Sequence, residues 1–135
     1  MWTTEHTIET QAPPEAIWRL WADVQSWPSW NGDIERVDLD GPFAAGGTIR
    51  MTPFGEDAIE LRIAAATEGE SFVDEASLGD IVVRTSHRAE RVGGRTRVTY
   101  RMEIDGPDGV AAELGPQISG DFPETLAALV ARAEG

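Results

Sequence analysis

Three side chains of this sequence, Asp74, His87 and Tyr100, have the types needed for acid–base chemistry on a carbonyl substrate. An imidazole titrates near neutral pH, so His87 could take up or release a proton. The phenol of Tyr100 could donate to an enolate oxygen, and Asp74 could orient His87 or hold it charged. The alternative is that the three form a buried, hydrogen-bonded group that sets the polarity of a pocket without any reaction.

These residues meet only if the strands that carry them pair in one particular register. Hairpin turns are predicted at Glu68-Gly69, Gly79-Asp80 and Gly93-Gly94. With these turns, one face of the sheet carries the row Arg62, Glu75, Arg84 and Glu103. Every neighbour in this row has the opposite charge, which a solvated sheet face favours. Because a slip of one residue would turn every side chain to the other face, the row supports this register.

The opposite face of the predicted sheet is mostly apolar, with a few polar side chains within it. Its rows are Leu61, Ala76, Val83 and Ile104; Ile63, Asp74, Thr85 and Met102; and Ala65, Phe72, His87 and Tyr100. An apolar surface with a few convergent polar groups is typical of a small-molecule pocket. The pattern leaves open whether His6, on the first strand, also faces inward beside Tyr100.

The elements that position this surface follow from hydrophobic period and turn residues. A strand is predicted over residues 3–11, a helix over residues 12–24, and six short strands between residues 34 and 105. The tail, residues 108–135, has helical spacing. Pro123 within it predicts either a kink or a break after Gly120 with Asp121 as a cap. The order predicts a single α+β domain over residues 1–135, with an antiparallel sheet covered by the long C-terminal helix.

The charge of the chain argues against two classes of partner. It has 11 Lys+Arg against 24 Asp+Glu, a formal net charge of −13. Phosphate backbones and anionic lipid headgroups bind clustered Lys and Arg, so we expect neither nucleic acid nor a membrane as a partner. No apolar run approaches the ~20 residues that span a bilayer, and the N-terminal residues lack the features of a signal peptide. We therefore expect a cytoplasmic protein.

Metal and cofactor chemistry have no recognisable signature in the sequence. The chain has no cysteine, and its two histidines lie on separate predicted strands without a compact ligand motif. No nucleophile-elbow, phosphate-loop or dinucleotide motif is present, since the glycine-rich residues 41–47 follow a strand but open no helix. We expect no metal and no cofactor.

Four of the five tryptophans lie in the short segment "AIWRLWADVQSWPSWN", at Trp18, Trp21, Trp27 and Trp30. The segment follows Ala12-Pro13-Pro14-Glu15 and contains Asp23-Val24 and Trp27-Pro28-x-Trp30-Asn31. Together with "DLDGPFAAGGTIRM", "RTRVTYRMEIDGP" and the long last helix, it resembles the polyketide cyclase/dehydrase-like branch of the START/birch-pollen-allergen (SRPBCC) superfamily. The resemblance extends over essentially the whole chain.

The resemblance implies a helix-grip fold, in which a curved seven-stranded antiparallel sheet surrounds a long C-terminal helix and two short helices follow the first strand. In this family the space between sheet and helix is a cavity for hydrophobic ligands. Members include lipid carriers, hormone receptors and aromatase/cyclases, so the resemblance does not fix a function.

We expect a cavity beside Asp74, His87 and Tyr100. Its further lining is predicted to be Trp18, Trp30, Met51, Ile63, Phe72, Thr85, Met102, Leu114 and Ile118. Trp21 and Trp27 would anchor the helices outside the cavity; the alternative is that all four tryptophans fill the core.

The favoured function is binding of a small hydrophobic molecule, ring-containing or lipid-like. One alternative is a polyketide cyclase/dehydratase that uses His87, Tyr100 and Asp74 as acid and base. Another is a regulatory domain whose ligand alters a partner contact. The sequence leaves open whether the protein is an enzyme and whether it forms a homodimer.

Overall fold

A computed structural model describes the backbone of residues 1–135 and every side chain except that of residue 108. The strands are β1 (Trp2–Thr10), β2 (Ile34–Asp40), β3 (Thr48–Pro53), β4 (Ile59–Thr67), β5 (Ser71–Leu78), β6 (Ile81–Val92) and β7 (Arg95–Asp105). The helices are α1 (Pro14–Ala22), α2 (Trp27–Trp30), α3 (Asp108–Ser119) and α4 (Phe122–Glu134), with a 3₁₀ turn at Val24–Ser26 between α1 and α2. No helix in the described part of the chain is long and apolar enough to span a bilayer.

All seven strands form one antiparallel sheet in the order β1-β7-β6-β5-β4-β3-β2. The helical segment α3–α4 lies against the inner face, where α3 and α4 both contact β1. Two short helices, α1 and α2, follow β1. The α+β, helix-grip architecture predicted from the sequence is therefore confirmed.

The predicted register of the central strands is confirmed. Arg62 pairs with Glu75, Glu75 with Arg84, and Arg84 with Glu103, all on the outer face. Arg62 Nη2 donates to Glu75 Oε1 at 2.7 Å, and Arg84 Nε donates to Glu75 Oε2 at 2.8 Å. The hydrogen bonds from Arg84 and then Arg62 hold the pKa of Glu75 below its usual value. Charge alternation thus fixes which face meets water.

One inner row was predicted incorrectly. Ala65 pairs with Val73, and Ala66 pairs with Phe72, because the register shifts between Ile63 and Ala65. The shift is a β-bulge, in which one extra residue on β4 turns the following side chains to the other face. Ala65 is therefore exposed on the outer face, and Ala66 takes the inward place beside Phe72.

The C-terminal helical segment is broken rather than kinked. Helix α3 ends at Ser119 and α4 begins at Phe122, with Pro123 in the first turn of α4, where its missing N–H costs nothing. Asp121 occupies the position before α4, as predicted, but its side chain makes no capping hydrogen bond.

His6 faces the inner side of the sheet, a point that the sequence pattern left open. It pairs with Tyr100 across β1 and β7. Its ring meets Phe122 edge-on, with the ring centroids 6.0 Å apart.

Gly115 allows α3 to approach β1 closely. A Cβ at this position would lie 2.5 Å from the ring of Trp2, whereas a Cβ at Gly109 in the same helix would meet nothing within 4 Å.

We expect Gly115→Ala to lower the free energy of unfolding by about 1–3 kcal/mol through overpacking, although alanine is the better helix former. Gly109→Ala is the matched control and should be neutral or stabilising. Urea unfolding followed by circular dichroism measures both; equal stability of the two variants would contradict the close packing.

Candidate ligand-binding site

A cavity of about 250 Å³ lies between the inner face of the sheet, the helices α1 and α2, and the junction of α3 and α4. Most of its walls are apolar side chains. The polar residues along it are Asn31, Asp74, Thr85, His87, Tyr100, Asp121 and Thr125. A mostly apolar cavity with few polar groups is the usual form of a small-molecule site.

The structure brings eight of the predicted site residues together around this cavity. They are Asp74, His87, Tyr100, Trp30, Met51, Phe72, Thr85 and Ile118. They lie on α2, on the strands β3, β5, β6 and β7, and on α3. Whether they contact a ligand stays a prediction.

Four predicted lining residues lie outside the cavity, so their placement is corrected. Trp18 does not line the cavity and instead meets Phe43 edge-on, with 5.4 Å between ring centroids. Ile63 and Met102 face inward but are fully buried in the core, where other side chains cover them. Leu114 packs on the core beneath α3, together with Met102.

Trp21 and Trp27 line the cavity, so the prediction that they lie outside it is wrong. Trp21 is 1% exposed, and its Nε1 donates to the hydroxyl of Tyr100 at 3.1 Å. Trp27 Nε1 lies 3.1 Å from the carbonyl oxygens of both Leu20 and Trp21. A signal existed in the sequence, since Ile17 and Trp21 are four residues apart and mark the buried face of α1.

Other lining residues were not named as site residues. They are Asn31, Ile34, Ile59, Leu61, Ala76, Leu78, Val83, Asp121, Phe122 and Thr125. Leu61, Ala76 and Val83 lie in an inner row that the register predicted, so that row carried the signal. The rest lie near the ends of elements, and only the packing of helices on the sheet brings them to the cavity.

Stacked and edge-on aromatic rings form one wall of the cavity. The rings of Phe72 and His87 are parallel within 3°, with centroids 3.9 Å apart. Tyr100 meets His87 edge-on at 4.6 Å, and Trp21 meets Phe72 edge-on at 5.5 Å. We call Trp21, Phe72, His87 and Tyr100 the aromatic wall. Its rings offer a rigid stacking surface, because edge-on and stacked pairs hold one another in place.

His87 is a neutral imidazole whose tautomer is set by the backbone. Its Nδ1 lies 3.3 Å from the carbonyl oxygen of Phe72, which can only accept a hydrogen bond. Nδ1 therefore carries the proton, and Nε2 keeps a free lone pair. Burial lowers the pKa of His87 to about 3, and the bond to Phe72 opposes this shift only in part. At neutral pH the ring can accept a proton but carries no charge.

Asp74 is a buried carboxyl group without a hydrogen-bond partner among the described residues. Its side chain is 9% exposed, and its Oδ2 lies 3.9 Å from His87 Nε2, too far for a hydrogen bond. Burial, followed by the negative charge of Glu75, raises the pKa of Asp74 to about 7. Near neutral pH this group exchanges between a neutral acid and a buried carboxylate.

Two further polar groups at the cavity have hydrogen-bonding capacity left. The hydroxyl of Tyr100 accepts from Trp21, so its own proton can go to a ligand, and burial raises the pKa of Tyr100 above its usual value. Trp30 Nε1 is buried and has no hydrogen-bond partner in the described structure. At the junction of α3 and α4, burial and then the carboxyl of Asp33 raise the pKa of Asp121.

This arrangement can place an acid and a base on one bound molecule. The carboxyl of Asp74 can take up and release a proton near neutral pH, His87 Nε2 can accept a hydrogen bond, and the hydroxyl of Tyr100 can stabilise an oxygen that gains charge. Environments that separate the pKa values of two neighbouring groups are typical of acid–base pairs. Among the described side chains, no group of three or more His, Asp or Glu is placed to hold a metal ion.

The sequence of residues 1–134 matches the family model described as "Polyketide cyclase / dehydrase and lipid transport". The chain belongs to this family. No curated protein matches the chain by sequence. The family resemblance inferred from the tryptophan-rich segment is therefore confirmed.

Solved structures of the same fold include both enzymes and proteins named only by superfamily. An aromatase/cyclase (Zhui) from Streptomyces sp. R1128 is 17% identical, with a TM-score of 0.81 over 98% of this chain and 93% of that one. A norcoclaurine synthase mutant from Thalictrum flavum is 12% identical, with a TM-score of 0.79 over 98% and 93%. A START superfamily protein from Mycobacterium smegmatis is 18% identical, with a TM-score of 0.76 over 98% and 97%. At these identities the likeness shows the fold alone.

Proposed function

We propose that the protein binds a small hydrophobic, ring-bearing molecule in the cavity between the sheet and the α3–α4 junction. The observation that carries the proposal is the cavity itself, about 250 Å³ of space with apolar walls and unpaired polar groups. Protein interiors are normally packed without such space, so a cavity of this size reflects a use. The family, whose description includes lipid transport, supports a binding role.

The size and shape of the cavity favour a compact ligand with one or two rings. Its volume is below the ~300 Å³ at which drug-sized sites begin. The aromatic wall offers faces and edges on which a flat ring can lie. The hydroxyl proton of Tyr100 can donate to an oxygen on that ring system.

Filling the cavity is expected to weaken binding. Ala76 is 4% exposed and lines the cavity, so Ala76→Leu places three more carbons in the ligand's space. Ala65→Leu is the matched control, because it enlarges the side chain by the same amount on the outer face of the same sheet. We expect Ala76→Leu to weaken binding of 2-naphthol, flavone or decanoic acid by about tenfold or more, the effect of losing ~1.4 kcal/mol.

The measurement uses the fluorescence of Trp21, Trp27 and Trp30, which all line the cavity. Ligand titrations are compared for the wild type and the two variants, and circular dichroism checks that each variant is folded. Equal affinity of Ala76→Leu and Ala65→Leu for every compound that binds would show that binding occurs elsewhere.

A cyclase or dehydratase is the second candidate, because the titratable carboxyl of Asp74 lies beside His87 and Tyr100 at the cavity. In a dehydration, the ionised carboxyl of Asp74 would remove a proton from the carbon next to a carbonyl, and Tyr100 would donate to the enolate oxygen. The protonated carboxyl of Asp74 would then give its proton to the departing hydroxyl, which leaves as water. The fold shared with an aromatase/cyclase is consistent with this chemistry.

A cytoplasmic location remains a prediction from the sequence, and a homodimer remains a possibility that the sequence leaves open. Size-exclusion chromatography with light scattering tests the second of them directly.

A further inference from the structure

The carboxyl group of Asp74 lacks the partner that buried polar groups normally have. Its side chain is 91% buried and lines the cavity, yet no described residue donates a hydrogen bond to it. More than nine in ten buried polar groups in native proteins are hydrogen-bonded. A buried carboxylate in particular requires a counter-charge or donors. The missing partner of Asp74 must come from whatever occupies the cavity.

The protein itself offers no cation to Asp74. The titratable groups that share the cavity are His87 of β6, Tyr100 of β7 and Asp121 between α3 and α4, and none of them is positively charged at neutral pH. Glu75, the neighbour along β5, faces the other side of the sheet and adds negative charge. The chain contains no lysine, and no arginine is among the described residues that line the cavity.

The surroundings of Asp74 suit a cation that also carries rings. Phe72 lies two residues before Asp74 on the same face of β5, and His87 Nε2 lies 3.9 Å from the carboxyl. The faces of Trp, Tyr and Phe attract organic cations, and this attraction strengthens where water is excluded. The net charge of −13 draws cations toward the protein and disfavours anionic ligands.

We propose that the cavity takes a ring-bearing organic amine whose ammonium group pairs with Asp74 and whose ring lies on the aromatic wall. This inference rests on the proposed binding function and adds the chemical class of the ligand. The hydroxyl of Tyr100 can donate to an oxygen substituent on such an amine.

Pairing with an ammonium requires the ionised form of Asp74, so the affinity depends on pH. Because the pKa of Asp74 in the ligand-free protein is about 7, only a small fraction of this carboxyl is ionised at low pH. Between pH 8 and pH 5 the affinity for an amine should therefore fall by roughly 100-fold, tenfold for each unit below the pKa. A neutral ligand of the same shape should show no such loss.

The test compares 2-naphthylmethylamine with 2-naphthalenemethanol, which share a ring system and differ in the charged group. Isothermal titration calorimetry gives the affinity of each for the wild type, Asp74→Asn and Asp121→Asn at pH 5, 6, 7 and 8. We expect the amine to bind more tightly than the alcohol at pH 8, with roughly a 100-fold loss at pH 5. Asp74→Asn should remove both the amine's advantage over the alcohol and the pH dependence. Asp121→Asn, the same change at another carboxyl of the cavity, should retain the amine's advantage and its pH dependence.

Each other outcome overturns a defined part of the inference. Equal affinity of the amine and the alcohol at pH 8 would exclude the amine class and leave the proposed binding function standing. If Asp121→Asn alone removed the pH dependence, the ammonium would pair with Asp121 and not with Asp74. Binding of neither compound, or binding that Ala76→Leu does not weaken, would overturn the proposed function as well.

Discussion

Asp74→Asn is expected to raise the free energy of unfolding at about pH 8.5 by an amount on the order of 4 kcal/mol. Burial raises the pKa of this carboxyl from 3.8 to about 7 in the folded protein. The folded state therefore favours the neutral acid. The contribution of this group to the free energy of unfolding is fully present below about pH 4 and is lost as the pH rises to 7. Above pH 7 the wild type holds an unpaired buried charge. Asparagine has nearly the same shape and stays neutral.

Urea unfolding of the wild type and Asp74→Asn across the pH range from about 5 to 8.5 measures this effect. The advantage of the variant should be greatest at the alkaline end and decrease steadily as the pH falls. Glu60→Gln is the control on the neighbouring strand β4, because its side chain is exposed and its weak ion pair with Arg50 should contribute little to stability. A wild type as stable as Asp74→Asn at pH 8.5 would contradict the buried, unpaired state of Asp74.

The contribution of His87 to the free energy of unfolding changes with pH in the opposite direction. Its pKa falls from 6.5 to about 3 on folding, so its contribution is present above about pH 6.5 and is lost as the pH falls toward 3. In Asp74→Asn, where the aspartate no longer titrates, the stability should therefore rise more steeply with pH up to about 6.5 than in the wild type. At neutral pH only Asp74 therefore costs stability, and a residue that costs stability at a cavity is typical of functional sites.

The sheet could be predicted from the sequence because its determinants are local. Alternating side chains, glycine turns and the charge row of Arg62, Glu75 and Arg84 specify the register strand by strand. The meeting of His87 with Tyr100 follows from this register alone. The bulge before Ala65 could not be predicted, since no glycine or proline marks it and Ile63 N and O are bonded to the loop residues Gly47 and Gly46.

The lining of the cavity was harder to predict because it depends on where the helices pack. Inward orientation in the sheet is not sufficient: Met102 and Asp74 share the inner face, but α3 covers the first and leaves the second open to the cavity. On α1, Trp18 and Trp21 are three residues apart, so the rotation of the helix about its own axis decides which of them lines the cavity. That rotation is set by the hydrogen bond from Trp21 to Tyr100, a contact between residues 79 positions apart.

The choice between a carrier and an enzyme rests on His87→Gln and Tyr100→Phe, tested with a substrate whose reaction the cavity could accommodate. 3-Hydroxy-1-tetralone is a two-ring β-hydroxy ketone that loses water and tautomerises to fluorescent 1-naphthol. If the protein is a dehydratase, each substitution should lower turnover by roughly 100-fold, the usual loss of acid–base assistance. The affinity for 1-naphthol should then change little.

If the protein is a carrier, no turnover above the buffer rate is expected, and the same substitutions should weaken 1-naphthol binding by about fivefold, or ~1 kcal/mol for each hydrogen bond. The pH profile is a second check. Removal of the proton needs the ionised form of Asp74, so turnover should rise by about tenfold per unit up to pH 7 and stay level above it. Turnover that survives both substitutions, or that rises above pH 7, would show that Asp74, His87 and Tyr100 do not carry out the reaction.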